Sequence, residues 1–435
     1  MKRVIQICDR AAFVLFGVIF GIITAAAFAA LAFFKKKRHG AGPVNELSFA
    51  VFDLISNKYS SMFEDALLNG YISKHHYIYL DFNNRYDRFE KMEDKIFFYS
   101  VAAHPDNTLY NSGFTMMSML FTELKILAAA FRIARRENIS FVKAHDPHLL
   151  GFNGLMVSRW FRLPCVLHMN SDFGMKYRGT GKVSAPIFIS RGLEKLFESA
   201  IINSYDIVMA DRKFYSKSAS FPKRSLRKYR AFGVRVERLH YSDPDSRKDL
   251  KGAMGLDNKK ILLYVGRLHP VKYPEDALKA LAIIRRSVGD AVLLVAGSGI
   301  LEEPLKEMAR REGLQESVIF LGPKKYEELI DILYTADLLL APHGGVTLVE
   351  SALASTPIVT YDFDWHGEFL EDGKMGYIVP FRDVRTMAEK AVDILKDESL
   401  RLAMGDYCRK AAVSGYSRER SIENEKTIYD SLMSI

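Results

Sequence analysis

From residue 47 onward, short apolar runs alternate with amphipathic stretches. In the second half, continuous apolar runs predict strands at Ile261–Val265, Ala291–Ala296, Val318–Leu321, Leu338–Ala341 and Pro357–Tyr361. Runs without polar alternation suit parallel strands covered on both faces. Helices are predicted between them, at Pro274–Arg286, Leu301–Glu312, Tyr326–Ala336 and Val346–Ala354. In the first half, strands are predicted at Leu47–Leu54, Tyr77–Asp81, Lys95–Val101, Phe141–His145, Pro164–His168 and Asp206–Ala210. The clearest helix there is Thr122–Glu137, whose Leu124, Leu127, Ala128, Phe131 and Ala134 follow the 3.6-residue period. Such alternation predicts an α/β chain with two Rossmann-like, doubly wound domains. A polar stretch, Tyr241–Gly252, reads as the linker, and a ligand is expected in the cleft between the domains, at the C-terminal ends of the strands.

The N-terminus follows a different pattern. Ala11 to Phe34 is a 24-residue run without charge. As a helix it would be about 36 Å long, enough to cross a bilayer core of about 30 Å. It exceeds the apolar segment of a cleavable signal and runs straight into Lys35, Lys36, Lys37 and Arg38. A transmembrane anchor is therefore expected over 11–34, and the excess of positive charge after it favours a cytoplasmic catalytic region. Gly17, Gly21, Ala25 and Ala29 recur every four residues, which would let two spans pack as a dimer, although alanine-rich filler gives the same stripe.

The chain has 435 residues and a net charge of +9, of which residues 1–40 supply +6. The remaining +3, without zinc-finger or RRM-type signatures, gives no case for nucleic acid. Cys8, Cys165 and Cys408 are far apart, which argues against a disulfide framework or a zinc site. One stretch, residues 212–230, carries eight basic residues and no acid, with Phe214, Tyr215, Phe221 and Tyr229 interleaved. It reads either as a contact for an anionic membrane surface or a phosphorylated lipid acceptor, or as a solvated basic loop.

The candidate chemistry lies where strands end. Arg267 follows the Ile261–Val265 strand, and Lys272 precedes Pro274 at a helix start, so two cations stand where a diphosphate would bind. Gly297-Ser298-Gly299 occupies the same place after the next strand, where Gly299 would let backbone approach a ligand. In Pro342-His343-Gly344-Gly345-Val346-Thr347-Leu348-Val349-Glu350 a strand ends, two glycines turn the chain and a helix begins. Glu350 falls on the apolar face of that helix, so it needs a dedicated partner, either a ribose diol or a nearby cation.

In these stretches the chain resembles the retaining glycosyltransferases of family 4, which have the GT-B fold. The resemblance rests on YVGRLHPVKYPEDALKAL, LLVAGSG, VIFLG, YTADLLLAP, GGVTLVESALASTPIVTYD and DGKMGYIVP. It implies transfer of a sugar from a UDP- or GDP-sugar donor, with retention and without a metal or other cofactor. It further implies that Arg267 and Lys272 hold the donor diphosphate, that Gly345, Val346 and Thr347 face the phosphates, and that Glu350 binds the ribose. His343 and Gly344 are possible sugar contacts. The motif's first glutamate is replaced by Pro342, which puts the sugar contact in question. In the first half, KAHD at 143–146 and HMN at 168–170 resemble the family, and His168 matches a sugar-contacting, potentially proton-shuttling histidine. His145 and His148 also read as ordinary loop polarity.

The expected organisation is an anchor over 1–40, an acceptor domain over 41–245, a nucleotide-sugar domain over 246–412 and a C-terminal helix over 413–435 that packs back toward the N-terminal domain. The expected acceptor is a lipid-linked or glycan molecule at the membrane. A weakened, non-catalytic binder and a sugar-nucleotide epimerase are the alternatives.

Overall fold

A computed structural model describes residues 42–50, 70–81, 87–92, 94–102, 115–169, 177, 190–217, 221–231, 233, 250–416 and 418–435. The apolar run over 11–34 and most of the stretch read as a linker lie outside these residues. Among the described residues, no helix is long and apolar enough to cross a membrane. The contacts divide the chain into two units. One comprises residues up to 211, 215–232 and 422–435; the other comprises 212–214 and 233–421.

The first unit is built on an eight-stranded sheet. Its strands are β1 (Asn45–Ala50), β2 (Lys74–Asp81), β3 (Arg88–Met92), β4 (Ile96–Ala102), β5 (Phe141–Ala144), β6 (Cys165–His168), β7 (Ile207–Ala210) and β8 (Tyr229–Ala231). Their order is β3-β4-β2-β1-β5-β6-β7-β8. All pairings are parallel except β3 with β4. β3 and β8 were not foreseen: β3 mixes charged and apolar residues without a clear run, and β8 has only three residues, at the end of the basic stretch. Helices α1 (Thr115–Arg136), α2 (Leu149–Phe161) and α3 (Arg191–Ser204) connect the strands.

The second unit has a six-stranded, fully parallel sheet. Its strands are β9 (Lys260–Val265), β10 (Ala291–Ala296), β11 (Val318–Gly322), β12 (Leu338–Ala341), β13 (Ile358–Tyr361) and β14 (Gly376–Val379). They lie in the order β11-β10-β9-β12-β13-β14. In chain order that is 3-2-1-4-5-6, the Rossmann arrangement, whose switch point lies between β9 and β12. The apolar runs explain the sheet. Ile261, Leu262 and Leu263 in β9 and Leu338, Leu339 and Leu340 in β12 are at most 1% exposed, and each strand feeds a core on both faces. Fully burying each such side chain contributes roughly 1.5–3 kcal/mol.

Helices α4 (Pro274–Ile284), α5 (Glu302–Arg311), α6 (Tyr326–Thr335), α7 (Thr347–Leu353), α8 (His366–Phe369), α9 (Val384–Lys396), α10 (Glu398–Gly415) and α11 (Arg418–Met433) follow in chain order. Pro274 at the first position of α4, with Glu275 and Asp276 in its first turn, suits a helix N-terminus. Over 413–435 the chain carries the end of α10 and then α11, rather than one helix. Helix α11 belongs to the first unit, where Ile422, Ile428, Tyr429 and Leu432 pack on Phe141, Val166, Ile207 and Met209.

Candidate functional site

The switch point of the second sheet brings the loops after β9 and β12 side by side. The loop after β9 is stiffened by its neighbour after β10. Gly266 N–H donates to the Ala296 carbonyl at 3.0 Å and Leu268 N–H to the Ser298 carbonyl at 2.9 Å. This explains the glycines of the second loop. Gly297 has φ +143° and a Cβ there would stand 2.0 Å from the Gly266 carbonyl oxygen; Gly299 has φ +157° and a Cβ would stand 2.4 Å from that of Leu268. At Gly299 the close approach is therefore one loop against another.

The chain then places Arg267, exposed, ahead of a short 3-10 turn, Pro270–Lys272, and Lys272, half-buried, at its end. Tyr273 closes that turn in the left-handed region, φ 51°, and starts α4. Lys272 Nζ donates to the His343 carbonyl at 3.4 Å, which ties the β9 loop to the β12 loop. Burial pushes the ammonium pKa down to about 8, and the charges of Arg267 and Arg212 push the same way against a smaller opposing pull from Asp364. An excess of positive charge is thus held together beside the switch point.

The loop after β12 turns through Gly344 and Gly345, and the two glycines differ. A Cβ on Gly344 would meet Leu348 Cδ2 at 2.4 Å, whereas one on Gly345 would meet nothing within 4 Å. Gly344 is required by packing, while Gly345 opens onto free space. Val346 has helical torsions and precedes Thr347, the first residue of α7. Glu350 lies inside α7 and is only 8% exposed. His343 Nδ1 donates to the Val271 carbonyl at 2.6 Å, and its Nε2 faces Asp364 Oδ2 at 3.4 Å. Its ring also meets Phe363 edge-on at 5.0 Å.

The loop after β13, residues 362–368, completes the arrangement and was not singled out from sequence. His366 is fully buried, and burial pushes its pKa down to about 4. Its ring spans from Thr360 Oγ1 and the Tyr361 carbonyl on one side to the Gly344 carbonyl at 3.2 Å on the other. It thereby fixes the glycine turn. Glu368 accepts the N–H groups of Lys213 and Phe214 at 2.8 and 2.7 Å. That contact holds Arg212 over the Trp365 ring, 4.3 Å from its centroid. Arg212, read as part of a continuous basic stretch, is instead a cation of the second unit. The rest of the stretch is folded too: Tyr215 and Phe221 are buried, and Lys228 Nζ donates to the carbonyls of Asn203 and Tyr205. Lys223, Arg224, Arg227 and Arg230 remain exposed. The signal for the 362–368 loop was its place, directly after a predicted strand at the same sheet edge.

In the first unit, His168 ends β6 with its ring 5.0 Å from that of His145. Burial pushes the His145 pKa down to about 3. His148, Glu194 and Glu198 offer three possible metal-ligand atoms within 4.8 Å of one another. However, Arg191 donates to Glu194 at 2.7 Å and to Glu198 at 2.6 and 2.9 Å. Its guanidinium already neutralises the carboxylates, so the cluster is accounted for as an ion-pair network.

Residues 246–411 match the family model of the group 1 glycosyl transferases. The chain is 27% identical over 208 residues to an alpha-D-kanosaminyltransferase of Streptomyces kanamyceticus, covering 45% of this chain and 54% of that protein. It spans about half the length of the curated relatives it matches first. Among solved structures, it is similar to a sucrose-phosphate synthase from Thermosynechococcus elongatus, with TM-score 0.71 and 16% identity over 90% of this chain and 99% of that one. It is also similar to Anabaena HepE in complex with UDP, with TM-score 0.66 and 15% identity over 90% and 100%. The architecture is therefore GT-B, with two α/β units built on parallel sheets.

Proposed function

We propose that this chain is a retaining glycosyltransferase that moves a hexose-type sugar from a UDP- or GDP-sugar to a lipid-linked or polysaccharide acceptor. The observation that carries this reading is the group of cations at the switch point of the second sheet: Arg267 and Lys272, with Arg212 acting on the same ammonium. Their mutual repulsion would be relieved by a dianionic diphosphate. In the proposed reaction the bond from the anomeric carbon to the phosphate oxygen breaks. The acceptor oxygen bonds on the same face of the sugar, and its proton leaves with the nucleoside diphosphate. Arg267 and Lys272 would offset the charge that develops on the leaving group, so no metal or other cofactor is invoked.

The remaining roles follow the motif. Gly345, Val346 and Thr347 would turn their N–H groups to the phosphates, Glu350 would accept the ribose hydroxyls, and Gly299 would line the donor's path. His343 and Gly344 would stand beside the sugar, and His168 would contact it or pass a proton. The 11–34 apolar run supports a single-pass anchor, with the catalytic region on the cytoplasmic side and a dimer formed through the span. Exposed Lys223, Arg224, Arg227 and Arg230 suit an anionic surface.

The test is to incubate the full chain, in native membrane lipid, with a panel of labelled UDP- and GDP-sugars and to follow the label. Label in lipid or glycan supports the proposal, and loss of donor affinity in Arg267→Ala and Glu350→Gln supports the site. Unchanged affinity in both variants would sink the site assignment. Pro342 in place of the motif glutamate favours a second reading, a binder without turnover, which predicts nucleotide binding and no product. Free epimerised nucleotide sugar would instead indicate an epimerase. Protease cleavage of the C-terminus only from the periplasmic or lumenal face would overturn the orientation.

A further inference from the structure

The motif over 342–350 lacks its first carboxylate, because Pro342 stands in that place. A neighbouring loop supplies one. Strand β13 pairs with β12, so the loops that follow them leave the sheet side by side at one edge. Asp364, in the loop after β13, brings Oδ2 to 3.4 Å from Nε2 of His343, the residue next to Pro342. The carboxylate thus reaches the position's immediate neighbour from the side.

Three features show that this aspartate is poised rather than spent. Its backbone sits in the left-handed region, φ 54°, a conformation that Asp and Asn tolerate better than most residues. Between the buried rings of Trp365 and His366 and the end of β13 the loop has little freedom to relax. Its second oxygen, Oδ1, is buried and has no hydrogen-bond partner among the described residues. A buried acceptor left unpaired is costly, and a hydroxyl donor from a ligand would satisfy it. The group is also ionised. Burial opposes its charge, but the His343 hydrogen bond and the Arg212 charge hold its pKa below the ordinary carboxylate value. The sugar of a nucleotide donor is attached to the diphosphate, so it is presented next to the cations that this carboxylate neighbours.

We propose that Asp364 accepts a hydrogen bond from a hydroxyl of the donor sugar, in place of the carboxylate that the motif lacks. This rests on the nucleotide-sugar reading above and adds to it the residue that reads the sugar. It also implies that Pro342 does not by itself mark a chain without turnover.

A sign difference tests it. Asp364 is an anion beside Lys272 and Arg212, so its removal should leave free UDP or GDP binding unchanged or a few-fold tighter. The same removal should weaken binding of the intact sugar nucleotide and slow transfer. Asp364→Asn is the variant of choice, because Asn keeps the size and tolerates the left-handed backbone; Asp364→Ala is the second. The measurements are calorimetric affinities of the full chain for UDP, GDP, UDP-glucose and GDP-mannose, and turnover of whichever sugar nucleotide the wild type uses. The expected result is at least a tenfold loss of sugar-nucleotide affinity and about a hundredfold loss of turnover, with free-nucleotide affinity undiminished. Equal loss of affinity for free nucleotide and sugar nucleotide would overturn the proposal and reduce Asp364 to a support for the loop. Wild-type turnover in the Asn variant would overturn it as well. A wild type that binds no sugar nucleotide would overturn the functional reading first and this inference with it.

Discussion

A buried lysine and a half-buried one show how differently the two units use charge. Lys143, on β5 of the first unit, donates to Glu425 at 3.1 Å and to the Tyr429 hydroxyl at 2.9 Å, with Glu46 at 4.0 Å. Its partners include a carboxylate and a phenol from α11, so the network also fastens the last helix to the sheet. Lys272 in the second unit has the opposite surroundings. Its close acceptor is one backbone carbonyl at 3.4 Å, and two arginines act against it. A cation that the chain itself satisfies is structural. A cation crowded by others stores unfavourable energy that a bound anion would release. The distinction lies in the sign of the neighbours.

The comparison breaks first at stability. Lys143→Met leaves Glu425 buried without its cation and Glu46 with only His75, and the expected loss is about 3–5 kcal/mol in urea unfolding. Lys272→Met removes a repelled charge, so unfolding should be unchanged or slightly harder. The price would appear instead in nucleotide affinity, which should fall by about 1.5–3 kcal/mol, the usual worth of a hydrogen bond to a charged group. If both variants lose the same stability and neither changes UDP binding, the contrast is wrong. Gly299→Ala belongs with the structural group. Its Cβ would strike the Leu268 carbonyl in a strained backbone region, and unfolding should become easier by about 1–3 kcal/mol.

The same contrast has a pH signature. Lys272 has its pKa lowered to about 8 in the free protein, and a bound diphosphate would raise it again. Affinity for UDP should therefore be greatest below pH 8 and fall as pH rises through that value, by up to about tenfold per unit. Binding should take up protons in that window, visible as a buffer-dependent enthalpy, and Lys272→Arg should abolish the uptake. For folding, the sign also follows from the lowered pKa: between about 8 and the ordinary lysine value the unfolded chain binds more protons, so stability rises with pH. The pKa of Glu46 is lowered too, so its effect on stability has the same sign in an acid window, but here the fold favours the charged form. Burial raises its pKa, but His75 and Lys143 overcome that and bring it to about 2. Its contribution is present above the ordinary glutamate range and is lost as pH falls toward 2.

The sequence made the second sheet legible because β9, β10 and β12 carry continuous apolar runs that end in glycine- or cation-bearing turns. Arg267, Lys272 and the 342–350 turn stood out for the same reason. Asp364, His366 and Arg212 did not, because each acts through partners distant in sequence. Asp364 is meaningful only beside His343, and Arg212 only once Glu368 has drawn residues 213 and 214 onto the second unit. A basic run looks uniform until the fold sends its members to different places. Strand β3 escaped for a local reason: antiparallel edge pairing tolerates Arg88, Glu90 and Lys91, which break up any apolar run.

The smallest expected effect gives the sharpest division within one turn. Gly344 and Gly345 are adjacent, yet a side chain on the first collides with Leu348 and one on the second meets open space. Gly345 also lacks the positive φ that would make alanine strained. Gly345→Ala should therefore change unfolding by no more than about 0.5 kcal/mol, the range of an unconstrained surface substitution. If the space beside Gly345 is where the donor's phosphates lie, the added methyl should still weaken UDP binding measurably while the fold stays intact. Gly344→Ala should show the reverse emphasis, with stability lost and any binding defect following from it. A Gly345→Ala protein with wild-type stability and wild-type UDP affinity would move the phosphates away from this turn and leave Arg267 and Lys272 to hold them alone.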